Sequence, residues 1–285
     1  MLERKKKRNF AHRLYFFGMN EISIELKDLS IGYPQKGGIK TVAANLNAAV
    51  YSGRLTCLLG PNGVGKSTLL RTLSKFQPRI AGQILLLGHD IDSLTNQELS
   101  RTIGVVLTER PNIDNMTARQ LVAMGRAPYT GFWGTLDQED QCRVDEAMQL
   151  IGIENLSQRL INTLSDGERQ KVMMAKVLAQ QTPIILLDEP TAFLDFPSKV
   201  ETMLMMKDIA MKTNKTIFLS THDLELALQT ADMLWLMGLD SALHTGTPQQ
   251  LADNGALAQF VERPGIRLDT QHLTLIVDNT ITQNY

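Results

Sequence analysis

The chain has 285 residues, enough for one large domain or two modest ones, and 43% of them are hydrophobic, which suffices for a buried core. Its 29 lysines and arginines against 30 aspartates and glutamates give a formal net charge of -1, so no global field attracts it to nucleic acid or anionic lipid. Two distant cysteines, Cys57 and Cys142, provide no disulfide framework, and no apolar run approaches the roughly 20 residues of a membrane-spanning helix. We expect a globular protein of a reducing compartment whose membrane role, if any, goes through a partner.

The N-terminal stretch MLERKKKRNFAHRLYFF is basic but lacks the continuous apolar core and small-residue cleavage site of a signal peptide. Residues 1–20 are therefore predicted to be a disordered basic extension, or Met19 is the true start; a lipid-contacting arm is the alternative. The main domain is predicted to span 21–260, with a helical subdomain at about 108–165, and 261–285 to form a C-terminal β segment or tail.

An antiparallel sheet is predicted at the start of this domain. Ile22, Ile24 and Leu26 alternate with polar residues, the period of a half-buried strand, and 41–50 reads as a second strand. Turns are predicted at Tyr33-Pro34 and Gly37-Gly38 between them.

The next stretch carries the clearest chemistry. Leu55–Leu59 is an apolar run typical of a strand buried on both faces, and GPNGVGKST and a helical pattern follow it. Glycines let the backbone amides approach a phosphate chain, Lys66 would reach its outer phosphates, and Ser67 would ligate magnesium. A chance glycine-rich turn is disfavoured because strand, loop and helix occur in order. The predicted ATP contacts here are Gly60, Pro61, Asn62, Gly63, Val64, Gly65, Lys66, Ser67 and Thr68.

Strands are predicted at 83–87 and 103–107 with a short helix at 95–100 between them, and helices dominate from Thr108 to Thr163. Thr117 can cap the first of these helices and 137–151 forms another, which together indicate a helical insertion in the core. The aromatic loop 125–134 fits either local packing or a partner contact, and both readings stay open.

LSDGE, at 164–168, opens the next helix. Ser165 and Glu168 have the spacing of a capping box, and the bare pattern favours that structural reading. The same helix N-terminus, with its amides exposed around a glycine, could also bind an anion.

Two strand ends carry candidate catalytic residues. Asp188 and Glu189 follow the apolar strand 184–187, so Asp188 could hold magnesium and Glu189 could polarise an attacking water. A helix cap is the alternative for this carboxylate pair. His222 follows a strand at 216–220 and could contact the terminal phosphate, although a lone histidine is more often structural. Further strands are predicted at 233–237 and 273–277, and a short helix at 247–252.

The ordered set of motifs resembles the nucleotide-binding subunit of ABC transporters, over about 22–246. In that resemblance Tyr33 matches the aromatic residue that stacks on adenine, GPNGVGKST the Walker A loop, and LSDGE the signature. IILLDEP matches Walker B with its catalytic glutamate, 193–195 the D-loop, and His222 the switch histidine.

The resemblance implies an α/β fold: a P-loop NTPase core with a mostly parallel sheet, an N-terminal antiparallel β subdomain and an inserted helical subdomain. It also implies an ATPase that uses Mg²⁺ and pairs head to tail, each ATP lying between the Walker A of one copy and the signature of the other. Glu189, His222 and Lys66 would then be catalytic. The signature residues Ser165, Asp166, Gly167 and Glu168 would bind ATP in trans.

Two positions depart from the family pattern. Asp166 and Glu168 replace the glycine and glutamine of the common LSGGQ, adding negative charge near a phosphate site. Thr108 stands where the family has the Q-loop glutamine, a candidate metal ligand, and its shorter side chain puts ligation there in doubt.

MGRAPY, at 124–129, resembles the GRxPH region of ATPases that energise uptake of iron-siderophore, haem or cobalamin, with Tyr129 in place of the usual histidine. The partners implied are membrane permeases and, indirectly, a periplasmic or lipoprotein binding protein, with the chain peripheral on the cytoplasmic face of the inner membrane. A soluble ABC ATPase remodelling a ribosome or DNA complex is the alternative. A small-molecule kinase would leave LSDGE and His222 unexplained.

Overall fold

The computed structural model describes residues 20–107, 115–131, 134–238 and 242–277. Residues 1–19 of the predicted basic extension, which include the Met19 start, lie outside these ranges. The Q-loop position Thr108 and two aromatic residues of the loop 125–134, Phe132 and Trp133, also lie outside them. Within the described ranges, no helix is both long enough and apolar enough to cross a bilayer.

Strands and helices alternate along most of the chain. The strands are β1 (Ile22–Gln35), β2 (Gly38–Tyr51), β3 (Leu55–Leu59), β4 (Ala81–Leu86), β5 (His89–Asp90), β6 (Ile103–Val106), β7 (Ile184–Asp188), β8 (Thr216–Thr221), β9 (Met233–Met237), β10 (Leu243–Gly246), β11 (Ile266–Asp269) and β12 (Thr274–Val277). The α-helices are α1 (Lys66–Leu73), α2 (Asn96–Thr102), α3 (Ala118–Ala123), α4 (Gln138–Ile151), α5 (Asp166–Ala179), α6 (Phe196–Thr213), α7 (Leu224–Thr230), α8 (Pro248–Asp253) and α9 (Ala256–Val261).

The predicted antiparallel sheet at the N-terminus is confirmed, in the strand order β2-β1-β4-β5. The turn predicted at Tyr33-Pro34 is wrong: both residues continue β1 and pair with Lys40 and Ile39 of β2. Pairing of β1 with β4 stops at Ser30. A proline, which has no N–H to donate, is therefore tolerated at Pro34 on the side of β1 that faces away from β2.

The core sheet has the order β10-β9-β3-β8-β7-β6, with β10 antiparallel and the other five strands parallel. The predicted fold class is therefore confirmed. All five residues of β3 are buried, as its apolar run predicts, because elements pack on both faces of the sheet. Parallel strands end at one edge, so the segments that follow β3, β7 and β8 meet there.

Successive residues of the core strands face two separate hydrophobic clusters. On one face, Leu58 and Leu186 pack with Leu69 and Leu70 of α1, beneath the N-terminal sheet. On the other face, Cys57 packs with residues of the helical insertion and of α6. Burial raises the pKa of the Cys57 thiol, which is a structural rather than a reactive group here.

The helices between β6 and β7 begin at polar caps. Thr117 caps α3 in a capping box with Gln120, which confirms the predicted cap. Asp137 caps α4 in the same way with Asp140. Helix α4 ends at Gly152, whose φ of 71° is the left-handed conformation that glycine favours.

The centre of the first cluster gives a stability prediction. Phe218 and Trp235 are fully buried and pack edge to face, with ring centroids 4.9 Å apart. Phe218→Ala is expected to lower the free energy of unfolding by about 3–5 kcal/mol, measured by urea unfolding. Leu204→Ala on α6, where the side chain is 52% exposed, is the control and should change it by less than about 0.5 kcal/mol. Equal losses in the two variants would contradict this account of the core.

Candidate functional site

The glycine-rich loop joins the end of β3 to the start of α1. Gly65, at the N-cap of α1, has φ 115°, and a Cβ on it would lie 2.2 Å from Cγ1 of Val42. A Cβ on Gly60 would lie 2.8 Å from the Met237 carbonyl oxygen. Only glycine fits these two positions, and no side chain caps the first amides of α1. The loop therefore presents free backbone donors, the arrangement that binds phosphate.

The Lys66 side chain is buried beneath this loop. Its Nζ donates to the carbonyl oxygens of Gly60 at 2.8 Å and Pro61 at 3.2 Å, and lies 3.4 Å from Nδ1 of His222. Burial lowers the pKa of Lys66, while the carboxylates of Glu189 and Asp188 oppose that shift. The Lys66 ammonium thus lies where phosphate oxygens would replace the two backbone carbonyls as its hydrogen-bond acceptors.

Asp188 ends β7, beside the first turn of α1. Its Oδ1 accepts hydrogen bonds from Ser67 Oγ at 3.3 Å and Ser220 Oγ at 2.7 Å. A serine hydroxyl and a carboxylate are hard oxygen donors of the kind that Mg²⁺ prefers, and their proximity fits a magnesium ion held by both.

Ser220 is a site residue that the sequence reasoning missed. Its hydroxyl donates to Asp188 and also accepts the Glu189 amide at 2.9 Å, so it fixes both acidic residues. Its place at the end of the predicted strand, two residues before His222, was the available sequence signal. The parallel register, which sets Ser220 opposite Asp188, gives that position its meaning.

Glu189 has a left-handed backbone with φ 50°, uncommon for a residue with a long side chain. Its carboxylate contacts Nε2 of His222, whose other ring nitrogen faces Lys66. The His222 side chain is 41% exposed, so this chain of three groups opens to solvent at the histidine. The structure thus brings together the three predicted catalytic residues, and strained backbone at such a place is typical of functional sites.

Tyr33 lies in the β1–β2 hairpin, partly exposed, with Lys40 Nζ 5.7 Å from its ring centroid. Val42, in the same hairpin, is the residue that Gly65 approaches. The strand that follows Tyr33 in the hairpin therefore borders the glycine-rich loop, and the Tyr33 ring remains a candidate surface for adenine.

The LSDGE segment forms a complete capping box, as the bare pattern predicts. Ser165 Oγ accepts the Glu168 amide at 3.2 Å, and Glu168 Oε2 accepts the Ser165 amide at 2.9 Å. Arg159 donates to the other carboxylate oxygen of Glu168 at 2.8 Å. These contacts, first of all the Ser165 amide, lower the pKa of Glu168. The acidic departure from LSGGQ is thus partly neutralised by a neighbouring arginine.

The signature lies beside the D-loop. A Cβ on Gly167 would be 3.9 Å from Cδ2 of Leu194, and Asp195 caps α6 by accepting the Ser198 amide. Ser165 and Glu168 form hydrogen bonds with each other, and Glu168 also bonds to Arg159. The glycine-rich loop instead lies where β3, β7 and β8 end.

These features define the class of P-loop nucleoside triphosphatases. A glycine-rich loop joins a buried parallel strand to a helix, and a lysine, a serine and a strand-end aspartate converge on that loop. Comparison with known proteins narrows the class. Residues 43–192 match the family described as ABC transporter.

The similarity extends over most of the chain. The chain is 38% identical over 228 residues to an uncharacterized ABC transporter ATP-binding protein of Methanocaldococcus jannaschii, and the alignment covers 80% of this chain and 77% of that protein. It is 35% identical over 237 residues to the ferric enterobactin transport ATP-binding protein of Escherichia coli, covering 83% and 84%. The dimeric structure of an ATP-binding cassette in a post-hydrolysis state, bound to ADP and phosphate, superposes with TM-score 0.69 at 25% identity, covering 79% of this chain and 98% of that one. The chain belongs to the ABC transporter family, as an ATP-binding subunit with ATPase activity.

The position of Lys66 gives a binding prediction. Lys66→Ala removes the buried cation, and a charge-assisted contact contributes about 1.5–3 kcal/mol, so we expect ATP affinity to fall by tenfold or more. Titration calorimetry would measure the dissociation constant. Lys171→Ala removes a lysine of α5 that pairs with Glu201 on the surface, and should leave it unchanged. Unaltered affinity in Lys66→Ala would contradict the assignment of this loop as the phosphate site.

Proposed function

We propose that this chain is the ATP-hydrolysing subunit of an importer that takes up an iron chelate, a siderophore or haem, or cobalamin, through separate permease subunits. The observation that carries the proposal is the similarity, over 83% of this chain, to an Escherichia coli subunit named for ferric enterobactin transport. The MGRAPY segment supports the same cargo class. The soluble ATPase acting on a ribosome or DNA is not favoured, because that relative is a transport subunit.

In the proposed site, Lys66 exchanges its loop carbonyls for the outer phosphates of ATP, and the amides at the start of α1 complete the cradle. Ser67 and Asp188 would hold Mg²⁺, which neutralises phosphate charge when bound. Tyr33 would stack on adenine. Thr108, the doubtful ligand, lies outside the described residues.

Glu189 is proposed to polarise the attacking water, with His222 sensing the terminal phosphate. The contact between their side chains, and the approach of His222 to Lys66, supports a shared role around one phosphate. A phosphate entering beside Lys66 would compete for the same donors and so release Glu189 toward water.

The second half of each site is proposed to be the LSDGE of another copy, in a head-to-tail homodimer. The first amides of α5 and the Ser165 hydroxyl would receive the terminal phosphate in trans, while the pairing of Arg159 with Glu168 limits repulsion. ATP then stabilises the closed dimer by binding only between two copies, and hydrolysis releases it. Closure would act on permeases through the helical insertion, on the cytoplasmic face of the inner membrane.

Glu189→Gln tests the catalytic assignment and the dimer together. The amide keeps the size of the side chain but is a poor base, so we expect ATP to stay bound, turnover to fall at least a hundredfold, and a dimer to accumulate with ATP. Phosphate release and sedimentation velocity measure the two effects. Glu201→Gln, an exposed change on α6, is the control. Normal turnover in Glu189→Gln would exclude this residue as the base.

Transport is tested in cells that lack the chain. We expect deletion of the chain to abolish uptake of one of three labelled compounds: a ferric siderophore, haem or cobalamin. When an affinity-tagged copy is returned to these cells, we expect it to co-purify with a multi-span membrane protein. Glu189→Gln should fail to restore uptake, because hydrolysis must release each closed dimer. Normal uptake of all three compounds in the deletion strain would exclude the proposed cargo class.

A further inference from the structure

The segment MGRAPY holds the far end of the signature helix. Helix α5 begins at LSDGE and runs for 14 residues, about 21 Å, to Ala179. It packs against α3 and α4 of the insertion, and its last turns contact β6 of the core. Whatever fixes the C-terminal end of α5 therefore helps to set the angle at which LSDGE is presented.

Arg126 caps that end. It is only 3% exposed, and its Nη1 donates to the Ala179 carbonyl at 2.8 Å, one of the carbonyls that lack a partner within a helix. A cation at a helix C-terminus is also favoured by the helix dipole. Asp140 of α4 balances the buried charge, with Nε to Oδ1 at 2.8 Å.

Tyr129 adds a second bond to the same end. Its hydroxyl donates to the Gln180 carbonyl at 3.0 Å. Two guanidiniums lie over its ring, with Arg126 4.0 Å and Arg101 4.9 Å from the centroid. Arg101 belongs to α2 of the core and also donates twice to the Pro128 carbonyl. The tyrosine thus joins the insertion, the core and α5 at one point.

The Gln180 side chain and Gly125 complete the anchor. Gln180 Nε2 donates to the Ser100 and Ile103 carbonyls, at 2.6 Å and 3.2 Å, which ties the end of α5 to α2 and β6. A Cβ on Gly125 would lie 2.2 Å from the Lys176 carbonyl oxygen, so the segment lies directly against α5. The aromatic loop 125–134 fitted either local packing or a partner contact. For Tyr129, these contacts show local packing.

We propose that Arg126 and Tyr129 are positioning residues for ATP hydrolysis: they hold the C-terminal end of α5 on the core, so that Ser165 and Gly167 are presented correctly to ATP bound by a second copy. This inference rests on the proposed head-to-tail dimer. It gives MGRAPY a mechanical role inside the subunit, since Arg126 is only 3% exposed and donates to the last carbonyl of α5.

Tyr129 is the better position to test, because removing Arg126 would leave Asp140 buried without its partner and could unfold the insertion. In a Glu189→Gln reference chain, Tyr129→Phe removes only the hydroxyl, Tyr129→Ala removes the ring as well, and Tyr129→His restores a ring with a donor. Tyr51→Phe is the matched control, a tyrosine beside Arg54, with 5.6 Å from guanidinium to ring, on β2 of the N-terminal sheet.

Three quantities are measured for each chain: ATP-dependent dimerisation by sedimentation over a concentration series, binding of a fluorescent ATP analogue at concentrations where the chain is monomeric, and the thermal midpoint. We expect Tyr129→Phe to raise the dimer dissociation constant about tenfold, since one hydrogen bond contributes a factor of about three and two anchors are weakened per dimer. Tyr129→Ala should raise it further, and Tyr129→His should return it to within about threefold of the reference. Monomer binding should stay within twofold throughout.

The outcomes separate the two levels of the proposal. If the reference chain does not dimerise with ATP, the proposed function is wrong and this inference falls with it. If the reference dimerises and Tyr129→Phe matches it within twofold, together with Tyr129→Ala where that variant folds, the positioning role alone is excluded. Loss of monomer binding in step with a lower thermal midpoint would assign Tyr129 a purely structural role. Tyr129→Phe keeps the test decisive if Tyr129→Ala does not fold.

Discussion

The site depends on the register of three neighbouring parallel strands. β3 pairs with β8 so that Leu59 lies opposite Thr221, and β8 pairs with β7 so that Ser220 lies opposite Asp188. A slip of one residue would turn Asp188 to the other face of the sheet and separate it from Ser220. This alignment brings the glycine-rich loop, the acidic pair and His222 to one edge, although more than 150 residues separate the first from the last. Backbone pairing of β3 with β8 and with β9, and of β8 with β7, fixes this alignment.

Electrostatics explains why that edge is ready for a nucleotide. Lys66 is buried, yet two carbonyls accept hydrogen bonds from its ammonium and nearby carboxylates balance its charge. The side chain can therefore remain buried without a bound ligand. The same carboxylates need a cation, which Lys66 and Mg²⁺ would supply together. A phosphate chain can therefore enter by replacing the two carbonyls as hydrogen-bond acceptors of Lys66.

The signature and the phosphate loop show two uses of a helix N-terminus. α1 begins without a side-chain cap, with glycine in a left-handed conformation, and leaves its amides free. α5 begins with a capping box in which Glu168 occupies the Ser165 amide and Arg159 balances its charge. The first arrangement suits strong binding within one subunit. The second would suit the weaker, reversible contact with ATP that the proposed head-to-tail dimer requires.

The sequence by itself determined the order of the main elements and predicted the residues of the glycine-rich loop and of the acidic pair, because both depend on local patterns. The apolar run of β3, the glycines of the loop and the cap at Thr117 follow from periodicity and backbone preference over a few residues. Only the tertiary structure decided the rest. It continued β1 through Pro34, because β1 pairs with β2 there and β4 does not pair with β1 beyond Ser30, and it revealed Ser220 as the link between Asp188 and Glu189. It also placed Tyr129 beside two arginines at the end of α5, where its hydroxyl bonds to a residue more than 50 positions away in the chain. Such contacts join segments far apart in the chain, and no short stretch of sequence encodes which distant backbone group a side chain will meet.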